Sequence, residues 1–286
     1  MLYCRSRPSD RVRKARGGEI ARGYLGDHLD EVTSLLNGPP VGLLLDLDGT
    51  ISEMVPDPAG SSVSQAARSA VEGLWLKLAL VAIVTGRAAL QARDIVGLQD
   101  LTYVGNHGLE RLEKGLLVVA EEAGPFLPML KGLLERLKER FPSGDLLFED
   151  KGGSFAVHYR LTDDPDKSQR DLLDAVQEMA GDQVKVVLGK TVINVLPPVE
   201  LDKGTAAVSL VKEHRLSGAI LIGDDVTDID LFQAGNRLSG LGGFTSLCIA
   251  VVGEGSPSEL EEEADFTLES VGEVEDFLTW MVRQTD

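Results

Sequence analysis

Runs of consecutive apolar residues ending in acids or hydroxyls recur along this chain, with stretches of helical periodicity between them. Residues 41–48 form one such run, 80–85 a second and 101–105 a third. Runs without polar alternation suit strands buried on both faces of a parallel sheet. The segments between them, 63–77 and 87–96, space their apolar positions as helices do. This alternation predicts right-handed βαβ units in a doubly wound sheet. The rhythm changes after Gly108. Residues 109–122 read as a hairpin around Lys114-Gly115, 125–141 and 165–180 as amphipathic helices, and 146–148, 155–159 and 184–195 as strands. Hairpins with two helices predict an inserted α+β unit with an antiparallel sheet. Alternation then resumes: helix 202–215, strand 219–222, helix 227–238, strand 246–252 and a last helix from 271. The predicted fold class is α/β, a Rossmann-like doubly wound parallel core carrying a smaller α/β insert. Its parts are an N-terminal arm and first helix (1–36, the helix over 19–36), core (37–108), insert (109–198) and core again (199–286).

Composition narrows the function. The 286 residues are 43% apolar, enough for a sizeable core. No apolar run approaches the roughly 20 residues that span a bilayer, and the basic N-terminus lacks the apolar stretch of a secretory signal, so a cytoplasmic protein is expected. A net charge of −18 argues against nucleic acid as a partner, because phosphate backbones are held by Lys and Arg. It leaves a small phosphorylated ligand open, since a metal ion and a few local cations outweigh a distant field that salt screens over about 10 Å. Cys4 and Cys248 share no ligand-like spacing, and Cys248 in its apolar run reads as a buried thiol. Arg5, Arg7, Arg11, Arg13, Lys14 and Arg16 face only Asp10 in the arm, which predicts a segment without fixed structure. Residues 254–276 carry many acids and no base, and read as solvated surface.

Four motifs carry candidate chemistry. In Leu43-Leu-Leu-Asp46-Leu-Asp48-Gly49-Thr50, two carboxylates two residues apart leave one face of a strand together, at the carboxyl edge where open α/β sheets bind ligands. Such a pair repels unless a cation accommodates it, and Mg²⁺ with its preference for carboxylate oxygens would do so. Ile222-Gly-Asp224-Asp225-Val-Thr-Asp228-Ile-Asp230 repeats the arrangement where a strand enters a helix; Asp228 there is either a ligand or a helix cap. Thr85-Gly86-Arg87 puts a hydroxyl beside the free N–H groups of a helix start, a phosphate cradle or a plain N-cap. Asp202-Lys203-Gly204 offers a cation for a phosphoryl group, or a surface lysine.

In this order and spacing the four motifs resemble the haloacid-dehalogenase superfamily of phosphohydrolases, over about residues 41 to 252. Gly105-Asn106-His107-Gly-Leu-Glu110, Glu149-Asp-Lys151-Gly-Gly-Ser154-Phe-Ala-Val-His158-Tyr-Arg160 and Gly189-Lys190 are further similar to its trehalose-6-phosphate phosphatase branch, whose insert is a mobile α/β cap. The resemblance implies Asp46 as nucleophile and Asp48 as general acid and base. It implies Mg²⁺ held by Asp46, the Asp48 backbone carbonyl and Asp224, with Asp228 supporting through the metal's waters. Thr85 and Lys203 would bind the phosphoryl group, with Gly86 and Arg87 beside it, and Glu149 and Lys151 would read the sugar. Asn106, His107 and Arg160 either border the same cleft or serve as structural hydrogen-bonding groups. His158, alternating with apolar residues, reads as packed.

The resemblance also implies a small-molecule sugar phosphate as ligand and a separate glycosyltransferase (synthase) as candidate partner; the chain itself is expected to be a monomer. Three positions depart from the branch: Asn194, Leu196 and Ile229. Val192-Ile-Asn194-Val-Leu196-Pro197 stands where Glu-Val-Arg-Pro is usual, and Ile229 where Glu is usual. Asn194 can still bond a hydroxyl but brings no charge. The expected substrate is trehalose 6-phosphate. Sucrose 6-phosphate and glucosylglycerate or mannosylglycerate phosphate are alternatives, as is a non-catalytic sugar-phosphate-binding regulatory protein.

Overall fold

The computed structural model describes residues 13–15, 18–20 and 23–285, except 39, 56–59, 143 and 254. In chain order the first half contains β1 (Arg13–Ala15), β2 (Gly18–Ile20), β3 (Gly23–Tyr24), α1 (Leu29–Leu36), β4 (Val41–Leu45), α2 (Gln65–Trp75), β5 (Leu80–Val84), α3 (Ala89–Val96), β6 (Thr102–Gly105), β7 (Glu110–Glu113) and β8 (Leu116–Val119). Then come α4 (Leu127–Arg140), β9 (Leu147–Asp150), β10 (Phe155–His158), α5 (Pro165–Ala180), β11 (Lys185–Gly189) and β12 (Val192–Leu196). The chain closes with α6 (Lys203–Glu213), β13 (Gly218–Gly223), α7 (Val226–Leu241), β14 (Thr245–Val251), α8 (Ser258–Glu263), β15 (Phe266–Leu268) and α9 (Val271–Gln284).

Nine strands form one sheet in the order β3-β15-β14-β13-β4-β5-β6-β7-β8, parallel from β3 to β6. The central strands are buried on both faces, as their unbroken apolar runs require. Alternate residues serve opposite layers. Leu43 and Leu45 pack with Val71 and Leu74 of α2 and Val274 and Leu278 of α9. Leu44 and Leu221 pack with Ala207 and Leu210 of α6 and Leu231 and Phe232 of α7. Each such leucine contributes about 1.5–3 kcal/mol by leaving water.

A second, antiparallel sheet in the order β11-β12-β10-β9 forms the insert. One of its faces, with Phe155, Val157, Ile193 and Val195, packs on Leu130, Leu133 and Leu137 of α4 and Leu172 and Val176 of α5. The opposite face holds Glu149 and Asn194, both paired across strands with Ala156, and His158 two residues further on.

The hairpin at 109–122 was expected in the insert, but it belongs to the large sheet. β7 pairs with β6, and β8 with β7, so the second sheet begins at Leu147. A strand turning back at Lys114-Gly115 falls directly beside the strand it follows, and nothing in the hairpin's own pattern names that neighbour. The helix expected over 19–36 is shorter. Residues 18–20 pair with 13–15 as a ribbon, Gly23–Tyr24 joins the sheet edge, and only Leu29–Leu36 is helical. Gly23, Gly26 and the aromatic Tyr24 disfavour a helix there. Residues 1–12 and 16–17 of the basic arm lie outside the described residues. The acidic stretch, read as plain surface, contains α8 and β15, and Phe266 of β15 is fully buried. Among the described residues no helix is long and apolar enough to cross a membrane.

Candidate active site

β4 and β13 are parallel neighbours with Leu45 opposite Ile222, so their carboxyl ends deliver Asp46 and Asp224 side by side. Asp46 N–H still donates to the Ile222 carbonyl at 2.9 Å, which fixes the first carboxylate at the sheet edge. The chain then turns tightly, Gly49 N–H reaching the Ser52 carbonyl at 2.7 Å. Gly49 has φ +86°, and a Cβ there would lie 2.1 Å from Asp224 Oδ2, so both conformation and space demand glycine.

Lys203, the first residue of α6, is buried with its ammonium 2.8 Å from Asp46 Oδ1 and 2.8 Å from Asp228 Oδ1. The other Asp228 oxygen accepts the backbone N–H groups of Asp224 and Asp225, both at 3.1 Å, so Asp228 caps α7 while holding the lysine. Both alternatives left open for Asp228 are thus compatible. Burial opposes the Lys203 charge, but Asp228 and Asp46 outweigh it and raise the lysine's pKa. Burial pushes the Asp46 carboxyl well up against the pull of Lys203, with Asp228 and Asp224 adding to the rise. Burial and Asp228 push Asp224 up to about 7.

One oxygen each of Asp46, Asp224 and Asp228 lies within 4.8 Å of the others. Asp224 Oδ1 is buried with no hydrogen-bond partner. Three buried carboxylates share the buried Lys203 and the partly exposed Lys190, and with an orphaned oxygen they fit a hard divalent cation such as Mg²⁺. The Asp48 carboxylate turns elsewhere. It accepts Arg87 Nε at 2.5 Å, Arg87 Nη2 at 2.8 Å and Ser61 Oγ at 2.9 Å.

The neighbouring strand end, Thr85-Gly86-Arg87, faces these acids. Thr85 is buried, and its hydroxyl accepts the Arg87 N–H at 3.2 Å. Gly86 touches the His107 ring so closely that a Cβ would lie 2.5 Å from it. Asn106 and His107 both have positive φ, 49° and 56°, and Gly108 follows at 104°. That sharp corner turns the imidazole under Gly86. Both ring nitrogens are buried, and the Asn194 side chain is the polar group that acts on the ring. Burial, then Lys151 and Lys203, hold the imidazole well below its usual pKa, so it is neutral.

The insert closes the far side. Lys151 donates to the Gly86 carbonyl at 2.8 Å and to Asn194 Oδ1 at 3.1 Å, and burial lowers its pKa. Glu149 bonds His158 Nε2 at 3.1 Å; burial alone would raise its pKa, but His158 and Lys151 bring it down to about 2. Arg160 donates to the Val55 carbonyl and to Thr191 Oγ1, and Lys190 reaches Asp224 Oδ2 at 3.4 Å.

Asp46, Asp48, Thr85, Gly86, Arg87, His107, Glu149, Lys151, Arg160, Asn194, Lys203 and Asp224 therefore line one cleft. Of the expected site residues, Asp228 lies fully buried beneath the cleft against Lys203, and Asn106 is turned away from it. Asn106 is fully buried, and its amide accepts Ser154 Oγ at 2.6 Å and donates to the Lys151 carbonyl at 3.2 Å, so it ties the two sheets together. His158, expected to be packed, lines the cleft instead, because it shares a sheet face with Ala156 and Asn194. Lys190 and Asp225 also line it without having been singled out as site residues; their adjacency to the Gly189 and Asp224 motifs was the available signal. Ser61 lies in a loop with no motif around it, and only the folded chain brings it to Asp48.

A doubly wound parallel sheet that gathers two aspartates, a buried lysine and an acidic trio at its carboxyl edge, under an α/β insert, defines a haloacid-dehalogenase-like phosphohydrolase. The trehalose-phosphatase family model matches residues 44–271, and the chain belongs to that family; it is a phosphoric monoester hydrolase. It is similar to "Probable trehalose-phosphate phosphatase 3" of Oryza sativa subsp. japonica, with 31% identity over 277 residues, 89% of this chain and 72% of the relative. "Probable trehalose-phosphate phosphatase" of Sinorhizobium fredii is 32% identical over 208 residues, 70% of this chain and 75% of that one. The C-terminal domain of Candida albicans trehalose-6-phosphate phosphatase superposes with a TM-score of 0.75 at 19% identity, covering 92% of this chain and 98% of the other, a likeness of fold.

Proposed function

We propose that the chain is a Mg²⁺-dependent phosphatase that hydrolyses trehalose 6-phosphate through an aspartyl-phosphate on Asp46. The observation that carries the reading is the buried Lys203 bridge between Asp46 and Asp228, beside the orphaned oxygen of Asp224. A carboxylate held by a lysine at a sheet edge is poised as a nucleophile for an anionic phosphoryl group. Asp46 attacks phosphorus and the ester P–O bond breaks. Asp48, held at the cleft by Arg87 and Ser61, gives its proton to the departing sugar oxygen. Asp48 then takes a proton from the water that splits the acyl-phosphate, releasing inorganic phosphate and restoring Asp46. Lys203 and the Thr85 hydroxyl hold the phosphoryl oxygens in line. Asp46, Asp224, Asp228 and the Asp48 carbonyl would hold Mg²⁺, which supplies charge neutralisation at those oxygens. The insert acts as a cap, presenting Glu149, Lys151, His158 and Asn194 to the sugar and excluding water.

A second reading keeps the chemistry and changes the sugar. Asn194 meets Lys151 with an amide where a carboxylate would neutralise it, which favours another sugar-like phosphate as substrate. Phosphate release with Mg²⁺ from trehalose 6-phosphate, sucrose 6-phosphate, glucosylglycerate and mannosylglycerate phosphates and glucose 6-phosphate decides between them, with Asp46→Asn as the blank. Preference for trehalose 6-phosphate supports the first reading. Preference for another member supports the second, and silence across the panel, or release that survives Asp46→Asn, overturns the mechanism.

A further inference from the structure

Sheet edges invite pairing, and this chain protects its other edges. β3 has two residues, β9 carries Glu149 and Asp150, and β11 begins with Lys185. β8 is different. It closes the nine-stranded sheet with Leu116-Leu-Val-Val119, and the described residues offer it no second strand. Leu116, Leu117 and Val118 are 67%, 37% and 52% exposed, without a charge, proline or bulge among them.

The direction of its free groups follows from the turn. Lys114 and Gly115, at φ +50° and +77°, form a two-residue hairpin turn joining Glu113 to Leu116. Ala120 N–H donates to the Leu109 carbonyl at 2.8 Å. Alternation along an antiparallel ladder therefore points the N–H and C=O of even-numbered residues at β7, and those of Leu117 and Val119 outward.

We propose that β8 pairs antiparallel with β8 of a second copy about a two-fold axis at Val118. Only registers that oppose outward-facing residues make hydrogen bonds. With Val118 on the axis, Leu117 meets the partner's Val119 and Val119 the partner's Leu117, giving four main-chain bonds. Charge selects this register. It carries exposed Lys114 to the partner's Glu122 at both ends, beside Glu121. The neighbouring register, centred on Leu117, would set Glu113 against the partner's Glu121, a like-charge pair. The occupant is thus a second copy of this chain, because this strand is complementary to itself. Dimerisation replaces the expected monomer, and it is independent of the substrate.

Sedimentation velocity over a concentration series, with backbone amide exchange at Leu117 and Val119, tests this. The wild-type chain is expected to pass from one to two copies as concentration rises, with those two amides gaining protection in step. Leu117→Pro removes an outward N–H while leaving the β7 ladder intact, and is expected to weaken association about tenfold or more. Lys114→Glu is expected to weaken it, and Lys114→Glu with Glu122→Lys to restore it, which fixes the register even if the proline variant does not fold. A monomer at all concentrations overturns the proposal. Protection of both amides in a monomer would also overturn it, assigning the edge to another segment of the same chain. A dimer indifferent to both sets of substitutions would place the interface elsewhere.

Discussion

Arg87 holds Asp48 by a fork, Nε on one carboxylate oxygen and Nη2 on the other. Two parallel bonds define the plane of the carboxyl as well as its position. The arginine belongs to the segment after β5 and the aspartate to the loop after β4, so the fork also joins the two halves of the cleft. Lysine keeps the charge but cannot reproduce the fork. Arg87→Lys is expected to lower kcat by roughly 10- to 100-fold through misplacement of Asp48, with secondary structure unchanged by circular dichroism. A kcat within twofold of wild type would show that Asp48 needs no such guidance.

Among the described residues, Lys203 is the one ammonium bonded to both Asp46 and Asp228. Removing it leaves two buried carboxylates uncompensated. Lys203→Met should cost about 3–5 kcal/mol in urea unfolding without metal. Mg²⁺ should return part of that loss, since a divalent cation can take over the neutralisation. Equal stability of variant and wild type in chelator would contradict the bridge.

Without metal, Asp224 titrates near 7 because burial and Asp228 disfavour its charge. A carboxyl whose folded pKa lies above its unfolded value binds its proton more tightly when folded. Its stabilisation is therefore complete below about pH 4 and is lost as pH rises through about 7. In chelator the urea midpoint should fall across that window, while saturating Mg²⁺ flattens the fall. Asp224→Asn should show a shallower slope in chelator than the wild type, the raised Asp46 carboxyl supplying what remains.

Glu149 behaves in the opposite sense, with its pKa brought down to about 2 against His158 and Lys151. Its contribution is present above about 4.5 and is lost as pH falls toward 2. At about 1.4 kcal/mol per unit, that is up to roughly 3 kcal/mol. Glu149→Gln should lower stability at pH 6 by up to that amount and make the acid limb shallower. An unchanged acid limb would mean that His158 does not hold the carboxylate in solution.

The motif residues were legible because their signals are local. Asp46 and Asp48 sit at the end of an apolar run, and Asp224 and Asp228 repeat the same strand-to-acid grammar. Helix 165–180 could be read to the residue, since proline at its start and an amphipathic stripe both mark it. What escaped depended on pairings between distant segments. The hairpin at Lys114-Gly115 carries no mark of the sheet it joins. Asn106 directly precedes the cleft residue His107 in sequence, but a positive φ turns its amide toward Ser154. His158 was misread because its strand alternates between a packed face and a cleft face, and alternation alone does not say which polar face meets solvent. Ser61 reached Asp48 from an unmarked loop. β15 was hidden by the acids around it, although Phe266 is as buried as any core residue.

The corner at Asn106 and His107 joins parts that are otherwise far apart in sequence. His107 fills the space against Gly86 at the end of β5, and Asn106 grips Ser154 and the Lys151 carbonyl of the insert. Lys151 in turn reaches back to the Gly86 carbonyl, closing a ring of contacts from 86 through 107, 106 and 151 to 86 again. One methyl group at position 86 would press on the imidazole and strain the whole circuit, and the seating of the insert on the sheet would register a change at the end of β5. The floor of the cleft and the fastening of its roof are thus a single mechanical part.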